Sequence, residues 1–337
     1  MPQGLDERRA VRRFLILTIV VAAAVCGAGL WWLHRPLVLA NEAVDLAVEP
    51  GTSARAVAQA VADAGVKGSP ALLYAWFRLS GDSRKIKAGN YEITQGATPR
   101  SLLRQLVQGE ESLYVVTLVE GWTFNQVREQ LAKAEHLKPS TQGLAPTEIM
   151  NHLGRAGQHP EGRFFPDTYT YAKGSSDLAL LKRAMHAMDK RLDAAWQQRA
   201  ASTPLKTPDQ ALILASIVEK ETGKGSDRPL VGAVFNNRLK IGMMLQTDPT
   251  VIYGMGDKFD GNLRKRDLQT DTPWNTYTRP GLPPTPIAMP GKASLLAAVN
   301  PAPTKALYFV ARGDGTSQFS ETLADHNRAV NKYQRGK

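Results

Sequence analysis

TPDQALILASIVEKET, residues 207–222, is the stretch on which the reading of this chain turns. Thr207 can cap a helix N-terminus, Pro208 suits the first helical position, and Gln210 completes a T-x-x-Q capping box. Residues 211–218 are almost wholly apolar, which predicts a helix buried on most of its circumference. Two carboxylates, Glu219 and Glu221, then arrive in the last turn, before Gly223 offers a stop. A helix C-terminus carries partial negative charge, and burial also disfavours ionisation, so an acid placed here tends to keep its proton. A carboxyl group protonated near neutral pH is what a general acid requires. The plainer alternative is that both glutamates face water and pair with Lys220 or Lys224. Periodicity leaves the choice between them open: Glu219 shares a face with Leu212, Ala215 and Ser216, Glu221 with Leu214, Ile217 and Val218. Ser216 offers the Glu219 face a hydroxyl that could orient a carboxyl group.

The 337 residues have room for two or three domains. A net charge of +11 points to an anionic partner or surface. Nucleic acid ranks last among these, because no zinc-type Cys/His spacing, RNP-like motif or Walker loop is present. No metal-ligand cluster or cofactor motif is present either, and the single cysteine, Cys26, excludes an intrachain disulfide. Residues 14–33 contain no charged side chain and are long enough to span a ~30 Å hydrocarbon core. Arg8, Arg9, Arg12 and Arg13 precede them, which by the positive-inside rule keeps the N-terminus cytoplasmic. Trp31 and Trp32 stand where an interfacial aromatic belt belongs, and the run lacks a clear cleavage site. The expectation is an uncleaved single-pass anchor with the rest of the chain outside the cytoplasm.

Beyond the anchor, residues 34–41 read as a tether and 44–48 as a strand. Helices are predicted over 53–64, 69–79 and from Thr98 to Gly109, with a short strand over 91–94. Strand, helix, helix, strand is the layout of the LysM module, a small glycan-binding domain, and residues 44–94 resemble it in layout only. The structural alternative is a spacer that binds nothing. Val119-Glu120-Gly121-Trp122-Thr123 echoes Val48-Glu49-Pro50-Gly51-Thr52 as a strand–turn–helix junction, with Thr123 and Gln126 spaced as a capping box. Residues 160–171, PEGRFFPDTYTY, could line a sugar cleft through their aromatics, Glu161 and Asp167, or be a packed loop. Helices follow over 178–199 and 229–240, the second carrying Asn236, Asn237 and Arg238. In Leu245-Gln246-Thr247-Asp248-Pro249-Thr250, Asp248 reads as an N-cap, while Gln246 and Thr247 could face a ligand. Prolines 283, 284 and 286 predict a rigid loop; a helix over 292–299, a strand over 307–310 and a helix over 320–333 close the chain.

Several of these stretches resemble, in order, the YceG/MltG family of endolytic murein transglycosylases. They are Ala215-Ser216-Ile217-Val218-Glu219-Lys220-Glu221-Thr222, Asn237-Arg238-Leu239, the run from Leu245 through Gly254, Asn275-Thr276-Tyr277 and Gly281-Leu282-Pro283-Pro284-Thr285-Pro286-Ile287. Upstream, Glu161-Gly162 and Phe165-Pro166-Asp167-Thr168-Tyr169 fit the family's other landmark. The resemblance implies a bitopic inner-membrane enzyme that cuts within nascent peptidoglycan strands and limits their length. It also implies that the catalytic acid is the first glutamate of the Val218-Glu219-Lys220-Glu221 run, which is Glu219. One departure is that Ser317-Gln318-Phe319 stands where the family often has a histidine, although His326 is retained.

The chemistry fits one acid. A hydrolase needs a second carboxylate, for which Glu161 or Asp248 would serve, whereas in a lytic transglycosylase the muramyl C6 hydroxyl attacks from within the substrate. A non-catalytic wall-binding protein is the alternative from another class. The expected fold class is α+β: a cytoplasmic tail (1–13), a transmembrane helix (14–33), the tether (34–41), a LysM-like βααβ domain (42–112) and a mixed α+β catalytic domain (113–337). Glu219 is the expected catalytic residue, and Glu161, Asp167, Tyr169, Ser216, Gln246, Thr247, Asn275 and Tyr277 are the expected substrate contacts. No metal or cofactor is expected; the expected partners are peptidoglycan strands, the inner membrane and cell-wall elongation synthases.

Overall fold

The structure is a computed structural model and describes residues 3–109 and 113–336. The side chains of Arg8, Arg9 and Arg13, and the expected domain boundary at residue 112, lie outside the described residues. The chain divides into two compact units, 1–113 and 114–337.

The first unit begins with a long helix, α1 (Gln3–His34), in which Leu15–His34 has a mean hydropathy of 2.2 and none of it buried. That segment is long and apolar enough to cross a membrane. The expected tether is not a free linker. It holds β1 (Val38–Leu39), which pairs antiparallel with β3 (Val66–Lys67), after β2 (Ala43–Val48) and α2 (Ala54–Asp63). Trp32, Leu37 and Leu39 pack against the core of this unit, an apolar gain the tether reading missed. Next come α3 (Pro70–Leu79), β4 (Gly89–Thr94) and α4 (Pro99–Gln108). β2 and β4 pair antiparallel from Ala43↔Thr94 to Val48↔Gly89, and Val44, Leu46 and Val48 alternate inward onto Val57, Leu73 and Phe77. Gly109 ends α4 in the left-handed region at φ 73°, as the sequence predicts.

In the second unit β5 (Leu113–Thr117) leads through the Val119–Thr123 turn into α5 (Phe124–Lys133), whose capping box forms between Thr123 and Gln126. α6 (Pro146–His152) follows, and then β6 (Thr168–Ala172), which pairs with β5. The aromatic stretch is thus part core and part strand: Phe164 and Phe165 are buried and Thr168 onward extends. α7 (Asp177–Gln197) joins this layer to a bundle of α8 (Pro208–Glu221), α9 (Arg228–Lys240) and α12 (Lys292–Val299), with the short α10 (Asp248–Met255) and α11 (Lys265–Gln269) between them in sequence. The chain closes with the antiparallel hairpin β7 (Tyr308–Ala311) and β8 (Ser317–Ser320), then α13 (Leu323–Gln334). The expected helix from Ser320 therefore starts later: Ser320 pairs with Tyr308, and Thr322 is the cap. Likewise Thr247, not Asp248, is the N-cap residue of α10, because Asp248 already has a helical place ahead of Pro249.

Polar side chains on α9 tie α12 and the loop that follows it to the bundle. Asn236 Nδ2 donates to Gly232 O (2.8 Å) and Ala298 O (3.0 Å), and Asn237 Nδ2 donates to Thr304 O and Ala306 O. Gly232 lets α9 approach α12 so closely that a Cβ there would overlap the Ala297 carbonyl. Gly232→Ala is therefore expected to destabilise the fold by about 1–3 kcal/mol through overpacking; urea unfolding measures it, and an unchanged midpoint would show that the two helices can separate freely.

Candidate active site

α8 is built as its sequence suggests, with two local differences. Thr207 Oγ1 accepts from Gln210 N (3.2 Å), but Gln210 Oε1 reaches past the cap to accept from Lys206 N (2.7 Å). The helix ends at an extended Thr222, whose hydroxyl donates back to Val218 O (2.7 Å), so Gly223 is not the stop. From Ala211 to Val218 every residue but Ile213 is buried, and this places both glutamates at the rim of the core.

Glu219 is held by three elements. Arg228, at the start of α9, donates through Nη2 to Oε1 (3.2 Å), and Gly291 N, at the start of α12, donates to Oε2 (2.9 Å). The Glu219 side chain keeps 6% of its exposure. The third element is the Val119–Thr123 turn: Lys220 Nζ donates to Gly121 O (3.2 Å), and a Cβ on Gly121 would lie 3.9 Å from Glu219 Cγ. That turn is pinned by Gly121 N donating to Met289 O (2.9 Å) and Met289 N donating to Trp122 O (2.7 Å). It delivers Glu120 beside Glu219, because a Cβ placed on Gly291 would fall within the Glu120 carboxyl group. Desolvation pushes Glu120 above the usual carboxylate range, the negative charge of Glu219 pushes it further, and Arg228 partly offsets both. The expected acid lies on α8 itself, with Lys220 or Lys224 as partners only in the alternative where both glutamates face water. In the structure the cation on Glu219 is Arg228, and the carboxyl pushed upward beside it is Glu120.

Glu221 points to a different network. It accepts from Thr247 Oγ1, and burial raises its pKa, with Asp248 adding to the rise and the Thr247 bond and Arg238 opposing it. Thr247 N donates to Thr276 Oγ1 (3.1 Å), and Tyr277 OH donates to Asp248 Oδ1 (2.6 Å). Thr247 and Tyr277 therefore gather around Glu221, not Glu219. Gln246, exposed beside them, has φ 48°, a left-handed conformation that costs a non-glycine residue energy and is often found at functional sites.

Ser216 and Asn275 correct the expectation of direct contact. Ser216 Oγ donates to Ile213 O (2.7 Å) and accepts from Ile287 N (3.0 Å), so it anchors the 281–287 loop and does not orient Glu219. Asn275 is fully buried; its Nδ2 donates to Leu268 O and Thr270 O, and its Oδ1 accepts from Tyr277 N. Glu161, 3% exposed, accepts from Phe124 N (3.0 Å) at the start of α5 and from Tyr253 OH (3.1 Å), and burial pushes it up to about 7. Asp167 is exposed and accepts from Arg191 Nη2 (3.4 Å), while Tyr169 OH donates to Phe165 O (2.7 Å). Among the described residues no group of three or more His, Cys, Asp and Glu side chains converges on a metal position. Sequence reasoning missed Glu120 and Arg228. The Glu120-Gly121 turn was visible as an echo with no chemistry attached, and no spacing rule links Arg228 to Glu219 across the loop between α8 and α9.

The YceG-like family model matches residues 46–332, and the chain belongs to that family. It is 30% identical over 310 residues to the endolytic murein transglycosylase of Bacillus subtilis, covering 86% of this chain and 84% of the relative. It is 27% identical over 293 residues to the endolytic murein transglycosylase of Streptococcus pneumoniae, covering 77% of this chain and 53% of that longer protein. A crystal structure of a YceG-like protein from Listeria monocytogenes superposes with a TM-score of 0.53 at 26% identity, covering 85% of this chain and 98% of that one.

The buried Glu161 also makes a stability prediction. Its carboxyl titrates at about 7 when folded against 4.5 when free, so between those values the native state holds a proton that the unfolded state lacks. Stability should therefore fall as pH rises through that window and level off above it, by on the order of 3 kcal/mol. Glu161→Gln should flatten the dependence, since an amide can still accept from Phe124 N and donate to Tyr253. Denaturant unfolding at pH 5 and pH 8 tests this; the same slope in wild type and variant would remove Glu161 as its source.

Proposed function

We propose that this protein is a membrane-anchored endolytic peptidoglycan transglycosylase with Glu219 as its single general acid and base. The observation that carries the reading is the placement of Glu219: one carboxyl at the end of a buried helix, aligned by Arg228 and the Gly291 amide. The names of the relatives support the substrate and reaction. Protonated Glu219 gives its proton to the glycosidic oxygen between N-acetylmuramic acid and N-acetylglucosamine as an oxocarbenium-like centre develops. The C6 hydroxyl of the same muramyl residue attacks that centre, and the Glu219 carboxylate takes the hydroxyl proton. The strand is cut with a 1,6-anhydromuramyl end, no water is consumed, and the acid is restored. Because the nucleophile is tethered, its effective concentration replaces a second carboxylate. Glu161, one partner a two-carboxylate hydrolase would use, is buried with both oxygens engaged, and Asp248 accepts from Tyr277. Both facts favour the lyase reading.

The apolar stretch of α1 serves as a single-pass anchor of the inner membrane, N-terminus inside and both folded units on the periplasmic side. The LysM-like segment holds glycan. A cleft of about 810 Å³ between the first turns of α2 and α3, lined by Ser53, Arg55, Gln59 and Tyr74, offers the hydroxyl, amide and aromatic groups that sugars use.

Glu219→Gln keeps shape but removes the transferable proton, and the loss should exceed the ~10²–10⁴-fold of a single acid–base contribution, because one group serves twice. Mass spectrometry of digested glycan strands reads it: products one water lighter than reducing ends should vanish. Near-normal anhydromuramyl products from this variant would refute the assignment, and reducing ends from the wild type would indicate a hydrolase. For topology, a C-terminal reporter that works only in the cytoplasm should stay silent, and an active one would overturn the periplasmic placement.

A further inference from the structure

Glu219 accepts from a guanidinium and from a backbone amide, two donors that suit an ionised carboxylate, whereas a general acid must meet its substrate carrying a proton. Something at the site has to favour the protonated form. The group in place is Glu120, which nothing in the motif pattern of the chain marks as chemical. We propose that Glu120 is a positioning residue for the acid, its carboxyl sharing one proton with Glu219 at the start of α12. The inference rests on Glu219 being the general acid.

The geometry is specific. Glu120 is exposed, while Glu219 behind it is nearly covered, so Glu120 is the solvent-side member of the pair. Its position follows from the backbone exchange between residues 121–122 and Met289, and from the absence of a side chain at Gly291. Gly291 has φ −78°, which any residue adopts, so the requirement for glycine there comes from the space the Glu120 carboxyl occupies and not from the backbone. The charged groups acting on Glu120 are Glu219 of α8 and Arg228 of α9; Lys220 is engaged by the Gly121 carbonyl next to it, and the exposed Lys292 follows Gly291 in the chain. Two carboxyls facing one guanidinium can balance one negative charge, and the second is costly, so a single proton stays with the pair. When Glu219 gives its proton to the leaving oxygen, that balance is broken, and it is restored when Glu219 takes the C6 hydroxyl proton. Glu120 thus makes the proton return to Glu219 without itself touching the sugar.

The test is the pH profile of anhydromuramyl-end formation by the full chain on purified glycan strands. Glu120→Gln removes the ionisable partner, so Glu219 should lose its proton more readily and the alkaline limb should move down by about one pH unit, with kcat falling more than KM. Glu120→Asp should recover part of the shift. Gly291→Ala, which expels the Glu120 carboxyl without straining the backbone, should move the limb the same way, and it decides the matter if Glu120→Gln fails to fold. A folded Glu120→Gln or Gly291→Ala with the wild-type limb would overturn the proposal while leaving Glu219 as the acid, provided Glu219→Gln is inactive. An active Glu219→Gln would instead bring down the reading on which it rests.

Discussion

Residues 286–291 hold the second unit together. This short run lies along α8 and is bonded at alternate residues to three partners: Ile287 N to Ser216, Met289 to the backbone of Gly121 and Trp122, and Gly291 N to Glu219. It also closes the proline loop, since a Cβ on Gly162 would strike Pro286 and Trp274 Nε1 donates to Thr285 Oγ1 (2.9 Å). The prolines fix φ ahead of it, so little chain entropy remains to be lost when the segment docks. Remove this strip and the turn carrying Glu120, the aromatic loop and the start of α12 would each lose a reference point.

The two glutamates of α8 face separate settings because they are two residues apart on a helix. Glu219 meets α9, α12 and the 119–123 turn, where a guanidinium and an amide converge on it. Glu221 meets the loop before α10, where a threonine hydroxyl and the charges of Arg238 and Asp248 surround it. Arg238 is itself fastened by backbone carbonyls, its Nε to Leu307 O (2.7 Å) and its Nη1 to Leu245 O (2.7 Å), so it acts as a rigid positive backdrop and not as an ion-pair partner. A single helix turn thereby supplies one carboxyl to a solvent-side cluster and one to the interior.

The first unit has its own core of Val57, Leu73, Phe77 and Ile93, and its β2–β4 sheet packs against α2 and α4. The residues just after the apolar helix belong to that core, so the chain emerges from α1 directly into folded structure. A helix joined in this way transmits its orientation to the unit it leads into better than a free linker would.

Most elements, the helix-capping residues Thr98, Thr123 and Thr207, and the apolar N-terminal span could be read from the sequence, because periodicity, caps and turn residues act within a few positions. The family was legible too, through long motifs in a fixed order. What the sequence could not determine was which groups face Glu219. Glu120 lies 99 residues before Glu219 and Gly291 72 residues after it, positions brought together by the docking of the 286–291 strip and of the 119–123 turn. Ser216, Asn275 and Glu161 look like ligand contacts in one dimension and become scaffold in three, because burial turns their polar atoms toward backbone groups and a tyrosine hydroxyl. A carboxyl's charge state is set by what lies within a few ångströms of it, and in this protein those neighbours come from parts of the chain that only the tertiary fold brings together.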